Sequence, residues 1–204
     1  MKLKLVGTIL EFEVIPLIIL ERDIQNIFQG NSKPLSYIYK KALSDKRSRL
    51  YKIASKHYEQ YLNFHSDSFG KFLFSLKAAG NLDYKWYLNK YGDKKYCTYK
   101  IDRFLNDKGI YCYILENKIM YVGRCRDTFK SRINRDYGKI SPYNCLIDGQ
   151  ATNCHINSLI NDIGGENKIF VGIYKMTNQT NEDIKSMEKR ILQQHSFDWN
   201  IQTS

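Results

Sequence analysis

Two short strand-like runs, separated by only three residues, constrain the fold of this chain more than any other feature. Gly109 to Leu115 is rich in aromatic and β-branched residues, and Ile119 to Gly123 is a second apolar run of strand length. Glu116-Asn117-Lys118 between them has the composition of a turn. The sequence therefore predicts a β-hairpin, with Tyr111 and Tyr113 on one face of its first strand.

The residues after the hairpin predict helices and one further strand. Asp127 or Thr128 can cap a helix that runs through Arg135. Residues 138–149 contain two glycines and a proline and therefore predict a loop. The later predicted elements are a helix over Thr152–Ile163 that ends at Gly164-Gly165, a strand over Lys168–Met176 and a helix from Thr180 or Asn181 to His195.

The first 107 residues predict short strands followed by a mostly helical region. Leu3–Ile15 alternates loosely between apolar and polar residues, which favours one or two strands. The predicted helices cover residues 17–28, 34–42, 44–64 and 68–79, and residues 95–103 favour a strand. We therefore expect an α+β fold. A mostly helical basic region at 1–107 precedes a domain at 108–204, in which a small mixed β-sheet is flanked by helices.

The chain is strongly basic, and the surplus of positive charge is uneven. It contains 32 Lys and Arg residues against 21 Asp and Glu, a net charge of +11. Residues 1–107 carry +8 of this charge, and residues 108–204 carry +3. A surplus of this size favours a polyanionic partner, most often nucleic acid. The alternative is a basic protein that binds no polyanion.

Basic side chains are dense between residues 40 and 56, where Asp45 is the only acid. Arg49, Lys52 and Lys56 share one face of a predicted helix, and such a face can follow phosphates or enter a major groove. We expect DNA contacts from these three residues and from Lys46. The alternative is a helix face that is only solvated.

Several features are typical of a cytoplasmic protein. The longest apolar run, Val14–Leu20, is interrupted by Pro16 and is far shorter than the ~20 residues of a membrane-spanning helix. The N-terminus has no apolar stretch long enough for a secretory signal. Five cysteines, none in a CxxC pair, indicate free thiols in a reducing compartment rather than a structural zinc site.

One carboxylate of the last predicted helix lies where an apolar side chain is expected. Ile184, Met187, Ile191 and Leu192 form an apolar stripe along this helix, and Glu188 projects from the stripe or from its edge. A carboxylate that enters a core is costly unless a cation or a metal ion meets it. Glu188 is therefore a candidate metal ligand. The alternative is a surface salt bridge at the edge of the stripe.

The tyrosines of the hairpin and the arginines that follow it suit phosphodiester chemistry. Arginine meets the charge that develops on a phosphate, and a carboxylate can hold Mg²⁺. A phenol whose pKa is lowered by nearby cations can orient or deprotonate water. The alternative for the tyrosines is ordinary strand packing. The residues concerned are Tyr111, Tyr113, Tyr121, Arg124, Arg126, Arg132 and Arg135.

Gly109-Ile110-Tyr111, followed ten residues later by Tyr121-Val122-Gly123, resembles the signature of the GIY-YIG nuclease superfamily. Arg132 matches the catalytic arginine of that family, and Glu188 matches its single metal-binding glutamate on a late helix. Asn200 matches the asparagine that closes the domain. The resemblance covers about half of the chain.

The resemblance implies a role for each matching residue. Glu188 is implied as the ligand of Mg²⁺ or Mn²⁺, and Gly109, Gly123 and Asn200 are implied to support the active site. The implied catalytic residues are Tyr111, Tyr121, Arg132, Tyr137 and Glu188, and the implied DNA contacts of this domain are Arg124, Arg126 and Arg135.

This chain departs from the family pattern near its arginines. The interval from Tyr121 to Arg132 is one residue longer than in many members. Many members have His, or sometimes Tyr, four residues after the arginine, where this chain has Asp136 followed by Tyr137. If Tyr137 takes that place, the end of the helix slips by one residue; if Asp136 takes it, the site gains a negative charge. Arg124 stands where Lys, Thr or Ser is frequent and offers a second phosphate contact.

Together these features predict a metal-dependent endonuclease that hydrolyses phosphodiester bonds of double-stranded DNA. The compact chain, with extra helices around a nuclease core, resembles sequence-specific type II restriction enzymes. Because one active site cuts one strand, we expect a homodimer on DNA. The alternatives are a non-catalytic nucleic-acid-binding module on the same scaffold and a repair, mobile-element or RNA-cleaving nuclease.

Overall fold

The computed structural model of this chain describes residues 1–163 and 168–201, which form two compact units. Unit 1 draws on the segments Met1–Glu21, Thr98–Lys139 and Asp162–Ser204, and unit 2 consists of Arg22–Cys97 and Ile140–Asn161. This division differs from the predicted boundary between residues 107 and 108. It differs because N-terminal strands belong to unit 1, whereas a helix of the C-terminal half belongs to unit 2.

The chain begins with four strands, continues with a run of helices, and then has three strands, two helices, one strand and a final helix. The strands are β1 (Lys2–Leu5), β2 (Thr8–Glu11), β3 (Glu13–Pro16), β4 (Ile18–Ile24), β5 (Tyr96–Lys100), β6 (Gly109–Leu115), β7 (Lys118–Cys125) and β8 (Ile169–Lys175). The α-helices are α1 (Leu35–Leu43), α2 (Arg49–His57), α3 (Phe69–Ala78), α4 (Ala151–Asp162) and α5 (Asn181–Gln194). Lys130–Tyr137 forms a π-helix, and short 3₁₀ helices cover Ile27–Gly30, Leu62–Phe64 and Leu82–Tyr87.

Unit 1 is built on a four-stranded sheet with the order β3-β8-β6-β7. Each neighbouring pair is antiparallel, so the general α+β class is confirmed but the expectation of a mixed sheet is wrong. The predicted hairpin is confirmed as β6 and β7. Its turn residues Glu116 and Asn117 both have positive φ, 49° and 62°, as the tightest hairpin turns require.

The two faces of this sheet have different chemistry. Ile110, Cys112 and Ile114 of β6 pack with Ile184 and Ile191 of α5 in an apolar core. The alternate residues of β6, including Tyr111 and Tyr113, are directed to the opposite face, where aromatic rings cluster. One face therefore packs apolar side chains, and the other, which is also buried, collects hydroxyl groups.

Unit 2 is mostly helical and has an aromatic core. Phe28, Tyr39, Phe69, Phe72 and Tyr87 are fully buried in it. Its segments contain 15 Lys and Arg residues against seven Asp and Glu, so +8 of the net charge lies in this unit. The basic surplus therefore belongs to the helical unit, although the segments of that unit are not those expected.

The helix and strand predictions differ in outcome. Helices starting at Pro34, Ser68 and Thr180 are confirmed as α1, α3 and α5, and the predicted loop over residues 138–149 is confirmed. The strand predicted over residues 95–103 is present as β5, and that over 168–176 as β8. The helix predicted over Thr152–Ile163 is present as α4, whereas its predicted end at Gly164-Gly165 lies outside the described residues.

Two predicted helices are wrong in kind or extent. The helix over residues 17–28 is absent because Ile18–Ile24, rich in isoleucine, pairs with β5 as β4. The helix over residues 44–64 is shorter than predicted. Ser48 caps α2 by accepting a hydrogen bond from the amide of Leu50, whereas Ser44 ends α1. In the described part of the chain, no helix combines the length and the apolar character needed to cross a membrane.

Candidate active site

A cleft of about 340 Å³ in unit 1 lies where β7, the π-helix and α5 contribute charged side chains. It brings Arg132 and Glu188 into one site, although they are distant in the sequence. Two further arginines and two further acids share the same cleft. The lining residues are Arg124, Cys125, Arg126, Asp127, Thr128, Ser131, Arg132, Asp136 and Glu188.

The register of the hairpin explains how Arg124 reaches Glu188. Arg124 is paired with Ile110, so its side chain shares the sheet face that packs on α5. It forms an ion pair with Glu188, and the carboxylate side chain is only 17% exposed. The apolar stripe of α5 is narrower than predicted, because Leu192 is exposed whereas Ile184 and Ile191 are buried. Glu188 therefore lies at the edge of the buried face.

Glu188 is held where its negative charge is disfavoured. Burial raises the pKa of this carboxyl above its ordinary value, and the opposing effect of Arg124 is smaller. A charged carboxylate in such surroundings is stabilised when a cation approaches. Groups with a shifted pKa in a cleft are therefore candidates for functional sites.

The Tyr111 side chain is fully buried, and the charge of the cleft residue Arg132 acts on its hydroxyl. Gly123 is directly opposite Tyr111 on β7, and a Cβ at residue 123 would lie 2.6 Å from the Tyr111 hydroxyl. The supporting role predicted for Gly123 thus has a steric reason: only glycine leaves room for the phenol.

Two buried side-chain polar atoms within residues 1–163 and 168–201 lack a hydrogen-bond partner: the Tyr111 hydroxyl and Arg132 Nε. Buried polar groups without partners are rare because each costs free energy. The two atoms belong to residues for which the resemblance to the nuclease family implies a catalytic role. Both atoms are enclosed by protein, and the charges of the two side chains act on each other.

A chain of hydrogen bonds links the remaining predicted catalytic residues. The hydroxyls of Tyr121 and Tyr137 are 2.9 Å apart, and Arg132 Nη2 donates to the Tyr137 hydroxyl at 2.9 Å. The Arg132 guanidinium also stacks 4.5 Å from the centre of the Tyr137 ring. Tyr137 therefore fixes the plane of Arg132.

Asp136 has a different environment from Tyr137. It accepts a hydrogen bond from Arg132 Nη1 at 3.3 Å, its side chain is 42% exposed, and it lines the cleft. Tyr137, in contrast, is fully buried among the other phenols. Of the two residues that the sequence left as alternatives, Tyr137 joins the tyrosine cluster.

The π-helix accounts for the one-residue slip that this arrangement requires. Its wider turn joins residues five apart, as in the hydrogen bond of 2.7 Å from the Gly138 amide to the Ile133 carbonyl. Arg132 and Tyr137 have the same separation of five. A Cβ at residue 138 would lie 2.3 Å from the Tyr99 carbonyl oxygen, so the helix end depends on Gly138.

The expectation of a phenol with a lowered pKa is wrong for this structure. Burial raises the pKa of Tyr111 and of Tyr121 well above the ordinary value. Arg132 lowers both pKa values, but by less than burial raises them. Both phenols are therefore protonated at neutral pH, and they can orient a ligand by hydrogen bonding.

Asn200 and Gly109 have supporting positions. Asn200 completes two hydrogen bonds of 2.9 Å with the backbone N–H and C=O of Val122, which lies on the edge strand β7. Gly109 has a φ of 144°, and a Cβ there would lie 2.2 Å from the Tyr174 carbonyl oxygen. Asn200 thus substitutes for a neighbouring strand, and Gly109 permits close pairing with β8.

The predicted DNA contacts are divided between the units. Arg124 and Arg126 line the cleft of unit 1, and Arg135 is exposed on the π-helix outside the lining residues. Lys46, Lys52 and Lys56 are exposed in unit 2. Arg49, also in unit 2, is engaged within that unit: its Nε lies 3.2 Å from the Asp148 carboxylate, and it also donates to the Ile147 carbonyl.

The cleft contains one carboxylate that sequence reasoning missed. Asp127 was considered only as a helix cap, but the hydroxyl of Thr128 accepts the hydrogen bond from the Ser131 amide at 3.1 Å. The only feature of the sequence that indicated a place for Asp127 in the site was its position directly after Arg126. Asp127 is free of the capping role and lines the cleft with Glu188.

These donors fit a cation whose coordination shell is completed by a substrate and not by protein side chains alone. In the described part of the chain, His, Cys, Asp and Glu side chains form no group of three or more suited to a metal ion. Mg²⁺ is commonly held by one or two carboxylates together with waters and substrate phosphates. Glu188 and Asp127, which both line the cleft, are carboxylates of that kind. Comparison with protein families, curated proteins and solved structures found no match for this chain.

Proposed function

We propose that the protein is a metal-dependent endonuclease that hydrolyses phosphodiester bonds in double-stranded DNA. The observation that carries the proposal is that Glu188 and Arg132 line one cleft, while the charge of Arg132 also acts on the buried hydroxyl of Tyr111. These are the residue types that phosphodiester hydrolysis uses: a carboxylate for a metal, an arginine for the phosphate and a hydroxyl to orient water.

Each side chain has a distinct part in the proposed reaction. Glu188 would hold Mg²⁺ or Mn²⁺, which when bound supplies positive charge against the charge that develops on the phosphate. Arg132, held in plane by Tyr137, presents its guanidinium to the phosphate oxygens. The Tyr111 hydroxyl would donate a hydrogen bond that orients the attacking water. Tyr121 holds Tyr137 in place through the hydrogen bond between their hydroxyls.

Arg124 exchanges partners in this proposal. It forms an ion pair with Glu188, and it would be free to contact a phosphate if Glu188 held a cation. Arg126, exposed on the same cleft, offers another contact to the DNA backbone.

Sequence-specific, restriction-like cutting is the form of this activity that we favour. The basic surplus lies in unit 2, apart from the proposed chemistry, as expected when recognition and cleavage are separate tasks. Cutting both strands at a symmetric site requires two clefts, so we propose that the enzyme acts as a homodimer on DNA.

The experiment that tests the proposal is incubation of purified protein with several genomic DNAs and with RNA, in Mg²⁺ or in EDTA. We expect discrete DNA fragments that form only with Mg²⁺ and disappear with Glu188→Gln. A smear of DNA fragments would show nonspecific rather than sequence-specific cutting. Cleavage of RNA alone would show that the substrate is RNA and not DNA.

A specific observation supports a second candidate, a nucleic-acid-binding module without catalysis. Arg132 is paired with Asp136, and Glu188 is paired with Arg124, so both central groups already have partners of opposite charge. This candidate would be supported over the endonuclease if the protein bound DNA but did not cleave it in Mg²⁺ or in Mn²⁺, and if Glu188→Gln bound DNA equally well.

A further inference from the structure

Unit 2 contains a cavity of about 720 Å³, a volume within the usual range of ligand sites. It lies between α1, the start of α2 and the loop around residues 143–148. Its inner wall is apolar. The residues of that wall include Ile38, Ala42, Leu50, Phe69, Tyr87 and Leu146.

Two tyrosine rings at this cavity are exposed to solvent. The exposed fraction is 49% for Tyr37 and 56% for Tyr143, although both rings are large and partly apolar. The ammonium group of Lys33 lies 5.5 Å from the centre of the Tyr37 ring. Exposed aromatic faces accompanied by a cation form a surface on which a flat aromatic ligand can stack.

The charged groups of the cavity leave positive charge in excess. Asp45 is paired with Arg47 at 3.3 Å, and Asp148 is paired with Arg49 at 3.2 Å. Lys33 and Lys41 form no ion pair with any acid in the described part of the chain, and both line the cavity. A ligand that fits this site is therefore aromatic on one side and anionic on the other.

We propose that this cavity binds an unstacked nucleotide of a nucleic-acid strand. The base lies against Tyr37 and Tyr143 over the apolar wall, and Lys33 and Lys41 hold the phosphates on either side. The net charge of +8 on unit 2 attracts such a strand from solution. The occupant rests on the proposed nucleic-acid substrate, whereas the site itself does not depend on the cleft of unit 1.

The test uses a short single-stranded oligonucleotide that carries 5-iodouracil, with full-length protein and EDTA to prevent cleavage. We expect ultraviolet crosslinks at Tyr37 or Tyr143. Tyr37→Ala and Tyr143→Ala should each weaken binding at least about fivefold, the lower end of the effect of one stacked base. Tyr37→Phe and Tyr143→Phe retain the ring and should bind within about twofold of the unaltered protein.

Two controls separate this site from general attraction and from the active site. Trp86→Ala removes another exposed aromatic ring of unit 2, outside the cavity, and should leave binding unchanged. Glu188→Gln should crosslink normally, so failure of cleavage and failure of this proposal are distinguishable. Crosslinks confined to other residues, or equal binding by the Ala and Phe variants, would overturn it. Binding of free thymidine monophosphate without binding of the oligonucleotide would also overturn it, because the occupant would then be a free nucleotide.

Discussion

At the scale of single residues, the sequence pattern indicated unusual side chains more readily than it indicated the partners of those side chains. Glu188 was identifiable because it interrupts an apolar stripe on a helix, and that spacing is local. Its ion pair with Arg124 was not, because that pair depends on the register in which β7 meets β6. The raised pKa of Tyr111 was equally hidden, since burial depends on the whole unit.

Glu188→Gln should abolish metal-dependent cleavage and leave DNA binding nearly intact. It should not lower the melting temperature, because the folded protein already disfavours the ionised carboxyl. The pKa of Glu188 is raised in the folded state, so its ionisation costs stability as pH rises above 4.5. Thermal denaturation of both proteins from low to neutral pH should therefore show the variant gaining relative stability as pH rises. Undiminished cutting by the variant would contradict the assignment.

Tyr111→Phe should separate catalysis from stability. The variant loses a buried hydroxyl that has no partner, so the free energy of unfolding should rise by about 1 kcal/mol. Single-turnover cleavage should slow by ~10²-fold if the hydroxyl orients water. Tyr113→Phe is the matched control: it removes a hydroxyl bonded at 2.9 Å to that of Tyr99 and should destabilise the fold with little effect on the rate. The opposite pattern would place the reactive phenol at Tyr113.

Arg124→Ala should make the protein without DNA bind Mn²⁺ or Mg²⁺ more tightly. Arg124 competes for the Glu188 carboxylate, and its removal frees that group. Isothermal titration calorimetry measures the affinity directly. Arg126→Ala removes the same charge from the same cleft but no ion pair with Glu188, so its gain should be smaller. Equal gains in the two variants would indicate general repulsion rather than competition.

At the scale of elements, the signals that succeeded were those contained within a few residues. The β6–β7 hairpin follows from its turn residues, and α5 follows from the reciprocal capping bonds between Thr180 and Asp183. β4 could not be predicted because its partner β5 is far along the chain. The π-helix could not be predicted because an i→i+5 turn has no composition of its own. Only the place of Tyr137, five residues after Arg132 instead of four, hinted at it.

The π-helix makes a testable distinction between two adjacent residues. Tyr137→Phe breaks the hydrogen bonds to Tyr121 and to Arg132, so cleavage should slow by about tenfold or more, the scale of a lost positioning contact. Asp136→Asn removes a charge from the cleft edge and should leave the rate nearly unchanged. Single-turnover rates on one DNA substrate measure both. Should Asp136→Asn prove the damaging change, Asp136 would be the residue that faces the phosphate.

At the scale of the whole molecule, charge was easier to predict than organisation. The surplus of +8 in residues 1–107 is a property of composition and was visible before any fold was known. The division into two units was not, because no Gly-, Ser- or Pro-rich linker marks it and both units combine distant segments. Arg49 shows the limit of charge counting. It was grouped with Lys52 and Lys56, but it is held by Asp148.

Replacing Lys46, Lys52 and Lys56 with alanine should weaken DNA binding and flatten its dependence on salt. Each lost phosphate contact should reduce the slope of log K against log salt by about 0.9. The cleavage rate on saturating DNA should change little, since these residues are in unit 2 and the cleft is in unit 1. The control replaces Lys2, Lys4 and Lys118, three exposed lysines of unit 1. An unchanged slope with a collapsed rate would show that unit 2 contains the active site.

The interleaving of the two units also bears on how such a protein can change over evolutionary time. The chain passes from one unit to the other four times, after residues 21, 97, 139 and 161. A single genetic crossover at any point therefore divides unit 1, and a crossover between residues 22 and 161 divides unit 2 as well. If unit 2 selects the target, one crossover cannot bring in a new unit 2 and leave unit 1 intact. Substitution of surface residues in place avoids this damage, and relatives with different targets should keep all four crossings.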